Sequence, residues 1–383
     1  MMRTPALAAI AALLVLPGCK TVTGWLGPSA PKQKPAELVS FQPKANARVL
    51  WQGSVGAAQR HAFFPAVAGN TVYVAGASGQ IAAFNAATGA QIARFDAGTP
   101  IAGGVGFGAG LVLVGTARGE VLAFEPSGKP AWRAQLSGEV LSPPAAAEGV
   151  VVVRTGDGRI HGLNAIDGKP RWVYQRALPS LSVRSFSGVT VERGAVFAGF
   201  PGGRLVAIAL SNGNVGWESV VALPRGATEL ERVTDVAGLP AVDGDQVCAV
   251  AFQGRAACFD AQRGDTLWAR DASSIAGLGI DARNLYYTDD RSAVVALERR
   301  SGSSLWKQDR LGGRWASAPL AIGRYVVVGD FQGQVHVLSR DDGSFVARVA
   351  TDGSAIQSPP VALDFTTFIV QTRNGGVFAI NVQ

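Results

Sequence analysis

The sequence predicts an all-β protein built from eight repeated units. Glycine accounts for 48 of the 383 residues, and runs rich in valine and alanine alternate with glycine turns, a composition that favours short strands over long helices. Eight related copies of a segment like GQIAAFNAATG begin at Gly79, Gly119, Gly158, Gly203, Gly254, Ser292, Gly333 and Gly375. The steps between them are 40, 39, 45, 51, 38, 41 and 42 residues. A period of about 40 residues indicates an eight-bladed β-propeller with four-stranded antiparallel blades.

Each copy predicts a strand, a glycine turn and a second strand, as in TVYVAG (71–76) followed by IAAFNA. A second turn ends in glycine, and in five copies a tryptophan follows four residues later: Trp132, Trp172, Trp217, Trp268 and Trp306. Two other copies have alanine there. A large flat side chain at a fixed offset predicts packing between blades. The alternative is that these rings are platforms for a sugar or a cofactor.

The last copy, GGVFAIN, lies at the end of the chain, so the eighth blade lacks an outer strand. ARVLWQG (47–53) resembles SLWKQ and TLWAR, and Trp51 occupies the tryptophan position. We therefore expect the N-terminal strand to complete the eighth blade and close the ring, which removes its open edges. The predicted propeller spans residues 47–383.

The first residues predict export. Residues 1–18 have Arg3 and a short apolar run, and the motif LPGC (16–19) ends at Cys19. This is the layout of a signal peptide. LPGC resembles a bacterial lipobox, which implies lipidation of Cys19 and cleavage before it. An ordinary signal peptide is the alternative. In this lipoprotein class Lys20, rather than Asp, implies the outer membrane, with the chain lipid-anchored on its periplasmic face. Residues 19–46 contain four prolines and predict an extended tether.

Charge and side-chain inventory predict no enzyme. The chain has 35 Lys and Arg against 28 Asp and Glu, with no basic run, so nucleic acid is not an expected partner. His61, His161 and His336 lie far apart in the sequence, two of them within predicted strands, which gives no metal-site pattern. Neither a catalytic serine motif nor a phosphate-binding glycine loop occurs. We therefore predict no catalytic residue, no metal and no cofactor.

Two cysteines lie on the arms of one predicted hairpin, CAVAFQGRAAC. After secretion Cys248 and Cys258 could form a disulfide if the register places them opposite each other. Because the sequence does not fix the register, two buried small side chains are an equal alternative.

The period is broken at two successive steps, of 45 and 51 residues. The extra residues are ALPSLSVRSFSG (177–188) and LPRGATELERVTDVAG (223–238), both between the outer strand of one blade and the inner strand of the next. We expect these two loops to be neighbours. They offer apolar and charged side chains typical of a protein-binding surface: Leu181, Val183, Arg184, Phe186, Arg225, Glu229, Glu231, Arg232 and Asp235. The alternative is that the apolar residues fold back and the charges pair within the loops.

Together with the repeats and the N-terminal segment, these loops make the whole chain resemble the BamB family of lipoproteins of the bacterial outer-membrane β-barrel assembly machinery. PSLSVR (179–184) and TELERVTDV (228–236) are similar to that family's loops. The resemblance implies that Leu181, Val183, Arg184 and Asp235 contact the periplasmic POTRA domains of BamA, with Glu229 and Arg232 beside them. Ala237 stands where the family has a second acidic residue.

The resemblance implies a scaffold within the BAM complex that supports folding and insertion of β-barrel proteins. We expect Arg184 to offer a bidentate donor to a partner carboxylate, and Asp235 either to orient Arg184 or to meet a partner cation. Unfolded outer-membrane protein precursors are a further candidate partner, through strand addition to a blade edge, although no residue indicates it.

Two other classes share this architecture. Quinoprotein dehydrogenases are longer, hold calcium and quinone and often have a vicinal cysteine pair, which this chain lacks. A glycan-binding propeller would need aromatic residues at the mouth of the channel, where only Trp315 and Phe331 lie in suitable loops.

Overall fold

The computed structural model describes residues 34–184 and 186–383, in which 32 strands form eight four-stranded antiparallel sheets. This is the eight-bladed β-propeller that the repeat predicts, so the predicted fold class is confirmed. The predicted signal peptide (1–18) and Cys19 lie outside the described residues. No helix in the described part of the chain has the length and apolarity needed to cross a membrane.

The first four blades follow the sequence order of their strands. Blade 1 consists of β2 (Ala66–Ala68), β3 (Thr71–Ala75), β4 (Gln80–Asn85) and β5 (Gln91–Asp96). Blade 2 consists of β6 (Gly103–Gly108), β7 (Leu111–Gly115), β8 (Glu120–Phe124) and β9 (Pro130–Gln135). Blade 3 consists of β10 (Ala145–Ala147), β11 (Val150–Arg154), β12 (Arg159–Asn164) and β13 (Pro170–Gln175). Blade 4 consists of β14 (Val189–Glu192), β15 (Ala195–Phe200), β16 (Arg204–Ala209) and β17 (Val215–Val220).

The last four blades include the one that closes the ring. Blade 5 consists of β18 (Ala241–Asp243), β19 (Gln246–Val250), β20 (Gly254–Asp260) and β21 (Thr266–Ala272). Blade 6 consists of β22 (Leu278–Ile280), β23 (Asn284–Thr288), β24 (Val294–Glu298) and β25 (Ser304–Gln308). Blade 7 consists of β26 (Leu320–Ile322), β27 (Tyr325–Gly329), β28 (Gln334–Ser339) and β29 (Phe345–Ala350). Blade 8 consists of β30 (Val361–Ala362), β31 (Thr367–Gln371), β32 (Gly376–Val382) and β1 (Ala47–Ser54).

The first strands of successive blades touch one another, as β6 touches β10 and β10 touches β14, so they line the central axis. The middle strands are buried on both faces, which is why LVLVG in β7 and VVVVR in β11 read as continuous apolar runs. The fourth strand of each blade is outermost. One face of the ring, here called the loop face, carries every loop that joins the outer strand of one blade to the inner strand of the next.

Strand β1 pairs antiparallel with β32 and completes blade 8, which confirms the predicted closure. The predicted boundary between tether and propeller differs from the structure. Residues Pro35–Gln383 form one compact unit, so residues 35–46 belong to the propeller's packing rather than to a free tether.

Residues 36–46 pack along blade 7. The amide of Ala36 donates to the carbonyl of Gly312 at 2.8 Å, and the ring of Phe41 stacks on Phe345 with 5.6 Å between centroids. The guanidinium of Arg348 lies 5.0 Å from the centre of the Phe41 ring and donates from Nη2 to the carbonyl of Val39 at 3.1 Å. The prolines keep this segment extended, and these contacts fix the extended chain to the blade.

A buried polar cluster holds the two arginines that bind this segment. Arg314 donates from Nε to Asp330 Oδ2 at 2.8 Å and from Nη1 to the carbonyl of Ala36 at 2.9 Å. Burial lowers the pKa of His336, which keeps its ring neutral at pH 7. A neutral ring can donate from Nε2 to Asp330 at 2.9 Å while Nδ1 accepts from Arg348 Nε at 3.3 Å.

Six tryptophans join neighbouring blades in the same way. Each indole N–H donates to a backbone carbonyl of the next blade at 2.6–3.0 Å. Each ring also covers the glycine three residues beyond that carbonyl, where the backbone φ lies between +70° and +77°. The pairs are Trp51–Gly89, Trp132–Gly168, Trp172–Gly213, Trp217–Gly264, Trp268–Gly302 and Trp306–Gly343. These rings are packing elements rather than ligand platforms.

Cys248 and Cys258 are directly opposite each other in the β19–β20 register and form a disulfide. The bond joins the two middle strands of blade 5, and both cysteines are almost wholly buried.

Replacing Gly302 with alanine should destabilise the protein more than replacing Gly98, although both have a φ of +70°. A Cβ at Gly302 would lie 2.5 Å from the Trp268 ring, whereas a Cβ at Gly98 would meet nothing within 4 Å. The left-handed backbone alone costs alanine ~1–2 kcal/mol, and overpacking adds ~1–3 kcal/mol. Denaturant unfolding of Gly302→Ala and Gly98→Ala measures the difference. Equal losses would mean that the tryptophan contact contributes nothing to blade packing.

Candidate functional site

The two long loops lie side by side on the loop face, as predicted. The 177–188 loop joins blade 3 to blade 4, and the 223–238 loop joins blade 4 to blade 5. The amide of Val183 donates to Asp235 Oδ2 at 2.5 Å, and Ser187 Oγ donates to the carbonyl of Val236 at 3.3 Å. The two loops therefore form one surface.

Asp235 is the residue that ties this surface together. Its side chain is only 3% exposed, and its second oxygen, Oδ1, accepts from the amide of Gly202 in the β15–β16 turn at 3.1 Å. Its backbone forms isolated bridges with Pro201 and Phe252, in the turns of blades 4 and 5. Burial raises the pKa of Asp235, against the opposing effect of the two amide hydrogen bonds and of Arg154.

The expectation that Asp235 orients Arg184 is wrong for this structure, and a contact of Asp235 with a partner cation stays a prediction. Arg184 Nη2 instead pairs with Glu139 Oε2 at 2.9 Å, and its side chain is 61% exposed. Asp235 faces inward because both of its oxygens are taken by backbone amides of different segments. It shapes the surface without being presented on it.

The apolar part of the surface comes from both loops. Leu181 is 43% exposed, and Leu178, Leu223 and Leu230 are also exposed. Val183 and Phe186 are half-buried. The alternative interpretation required the apolar side chains of the two loops to fold back onto the propeller, and they do not all do so.

The charges of the 223–238 loop largely pair within it. Glu231 accepts from the amides of Ala227 and Thr228 at 2.8 and 3.0 Å, while its own amide donates to Thr228 Oγ1 at 3.2 Å. This is the reciprocal pattern of a capping box, formed here around a single turn, and the hydrogen bond from the Thr228 amide is the main cause that lowers the pKa of Glu231. Arg232 pairs with Glu229.

Ala237, which stands where the resembling family has an acidic residue, is 4% exposed. Its side chain is buried beneath the loop surface. The departure at this position therefore leaves no gap among the exposed side chains.

A cavity of about 240 Å³ lies beneath the two loops, lined among others by Glu139, Arg154, Thr155, Arg184, Ser187 and Asp235. Arg154 donates to the carbonyl of Gly199 and lies 5.0 Å from the centre of the Phe200 ring. Burial lowers the pKa of Arg154 to about 10.

Sequence reasoning missed two residues of this site, Glu139 and Arg154. Glu139 lies in the equivalent loop one blade earlier, between β9 and β10, so the rule that successive loops are neighbours could have found it. Arg154 ends strand β11 and differs from the apolar residues before it, but nothing in the sequence relates it to a loop more than 20 residues away.

The described part of the chain has no cluster of side chains with metal-binding geometry. No three His, Cys, Asp or Glu side chains of residues 34–184 and 186–383 lie together in a way that could hold a metal ion.

Trp315 and Phe331 are the two aromatic residues that were considered for a glycan-binding channel mouth. Trp315 is exposed, whereas the ring of Phe331 lies 5.3 Å from the guanidinium of Arg314.

These observations define an eight-bladed propeller whose irregular loops build one surface of exposed apolar and charged side chains. A family model described as outer membrane protein assembly factor BamB matches residues 34–92, 77–308 and 294–383. A relative of that name from Nitrosomonas eutropha is 46% identical over 349 residues, which cover 91% of this chain and 85% of the relative. The chain belongs to the BamB family.

Solved structures agree with this assignment. The crystal structure of BamB from Moraxella catarrhalis is 26% identical with a TM-score of 0.80, and the match covers 88% of this chain and 100% of that one. Quinohemoprotein alcohol dehydrogenase from Comamonas testosteroni is 12% identical with a TM-score of 0.70, covering 88% of this chain and 76% of that one. The likeness to the dehydrogenase shows the fold alone.

Replacing Asp235 with asparagine should release the 177–188 loop without unfolding the ring. An asparagine amide nitrogen cannot accept a hydrogen bond, so the amide of Val183 or of Gly202 loses its partner, at a cost of ~1–3 kcal/mol. We expect about tenfold weaker hydrogen-exchange protection of one of these two amides. Glu229→Gln, which changes the same charge at an exposed position of the same loop, is the control. Unchanged protection of both amides in Asp235→Asn would show that the carboxylate does not hold the loop.

Proposed function

We propose that this chain is a non-enzymatic, lipid-anchored scaffold of the outer-membrane protein assembly complex, which binds the periplasmic POTRA domains of BamA through the 177–188 and 223–238 loops. Membership of the BamB family supports a role in outer-membrane protein assembly. The observation that carries the interface is the pair of loops tied by Asp235, with Leu181 and Arg184 exposed on their surface.

The geometry would allow Arg184 to exchange the carboxylate of Glu139 for a carboxylate of the partner. In the free protein Arg184 is paired with Glu139, and an ion pair of such exposed groups contributes only ~0–1 kcal/mol. A partner carboxylate that excludes water would form a stronger bidentate pair with the same guanidinium. Leu178 and Leu181 are exposed in the same loop and would bury apolar area at the same time.

Binding should depend on two side chains of this surface. We expect Arg184→Ala and Leu181→Ala each to weaken binding of the full chain, purified in detergent, to the POTRA domains by tenfold or more, because a few side chains near the centre of an interface carry most of its binding energy. Titration calorimetry measures the affinity, and circular dichroism checks that the variants fold.

Two controls remove the same side-chain types from the opposite face. Ile166, in the β12–β13 turn, is 86% exposed, and Arg193, in the β14–β15 turn, is also exposed. Ile166→Ala and Arg193→Ala should bind like the wild type. If the loop variants also bind like the wild type, the contact lies elsewhere on the propeller. If the wild type does not bind, the proposed partner is wrong.

Lipidation of Cys19 would place the propeller at the periplasmic face of the outer membrane. We expect Cys19→Ala to prevent acylation and to move the chain from the outer-membrane fraction to a soluble or precursor fraction, since acyl chains supply the membrane affinity. Fractionation followed by mass spectrometry of the N-terminal peptide measures both effects. An unmodified Cys19 in the wild-type chain at the outer membrane would contradict the proposal.

A further inference from the structure

Exposed large apolar side chains are distributed unevenly over the loop face. Eight loops join successive blades there, and among the described residues four consecutive ones carry such side chains. In order they are Leu178 and Leu181 between blades 3 and 4, Leu223 and Leu230 between blades 4 and 5, Ile275 between blades 5 and 6, and Trp315 between blades 6 and 7. The described parts of the other four loops, 55–65, 97–102, 136–144 and 351–360, carry none.

Trp315 lies at the far end of this arc and is 79% exposed. Its backbone has a φ of +54°, a left-handed conformation that a bulky side chain adopts only when the surroundings enforce it. The enforcement is visible, because Ser292 Oγ accepts from the amides of Trp315 and Ala316 at 2.8 and 3.4 Å. The backbone conformation that exposes this side chain is therefore held by the turn.

The residue before it makes this turn rigid. Arg314 is 3% exposed, and besides its bonds to Asp330 and the carbonyl of Ala36 it donates from Nη2 to Gln332 Oε1 at 2.6 Å. A buried, hydrogen-bonded guanidinium on one side and a hydroxyl on the other hold the backbone at Trp315 in place. A large aromatic side chain on a fixed backbone loses no further backbone entropy when it binds, which favours a role as an interface hot spot.

We propose that Trp315 is a second anchor of the partner-binding surface, so that the partner's folded periplasmic domains contact the arc from Leu181 to Trp315 and not only the two long loops. The inference rests on the proposed function and extends it. It commits to that partner because the arc is continuous with the two-loop surface, with Ile275 between the 223–238 loop and Trp315. A stable interface engages roughly 20–30 residues on each side, more than two loops with several buried positions supply.

The kind of partner surface follows from the arc. It needs an apolar pocket for the indole at one end and a carboxylate for Arg184 with an apolar recess for Leu181 at the other. Arg291 and Arg310 are exposed in the turn and loop around Trp315, but the exposed Asp290 and Asp309 adjoin them, so the charges there are mixed.

The test measures binding of the full chain in detergent to the partner's periplasmic domains. We expect Trp315→Ala to weaken binding about tenfold or more. Trp315→Asn should do the same, and because asparagine accepts a left-handed backbone it separates loss of the ring from strain in the turn. Phe365→Ala is the matched control, since Phe365 is 87% exposed in the β30–β31 turn on the opposite face and should bind like the wild type.

The outcomes separate this inference from the proposed function. If Leu181→Ala weakens binding while both Trp315 variants bind like the wild type, the two-loop interface stands and the second anchor is wrong. If the wild type does not bind the domains at all, the proposed function fails and takes the inference with it. If the Trp315 variants lose binding only to an unfolded β-barrel precursor or to lipid vesicles, the anchor serves a different occupant and the inference is overturned.

Discussion

The contact of a tryptophan with a left-handed glycine of the next blade is the constraint on which the ring depends. The indole N–H bonds a backbone carbonyl, and the ring lies where any side chain at the glycine would stand, so both the distance and the angle between two blades are set at one point. Six of the eight junctions use it. Blade 8 has no such turn to offer blade 7, because its outer strand comes from the other end of the chain, and there Phe41 packs on Phe345 instead.

A fixed angle between blades has a consequence for the loops. Each inter-blade loop starts from the same position in its blade, so two successive long loops must meet on one face. Meeting alone would give two mobile segments. Asp235 turns them into one surface, since its two oxygens bind the backbone of the neighbouring loop and of the β15–β16 turn. The regular ring thus supplies the position, and one buried carboxylate supplies the local order.

Features that recur in every repeat can be predicted from the sequence, whereas contacts that occur only once cannot. The spacing of the repeats predicts the number of blades, the closing strand, the packing role of the tryptophans and the adjacency of the loops. The packing of residues 36–46 does not, because prolines indicate an extended chain but not that Arg348 and Phe345, some 300 residues away, will hold it. The inward direction of Asp235 and the pairing of Arg184 with Glu139 depend on turns of other blades, which leave no mark near either residue.

The pairing of Arg184 with Glu139 also explains how an exposed guanidinium can stay accessible to a partner while its side chain is held in one position. A free arginine side chain loses ~2 kcal/mol of conformational entropy when it is fixed. Glu139 already restricts that freedom, yet the pair is exposed enough that water screens its attraction. A partner carboxylate therefore meets a guanidinium that is already placed beside Glu139 and only weakly held. Glu139 acts as a positioning residue, and a similar restriction applies to the backbone of Trp315, which Ser292 holds at the other end of the arc.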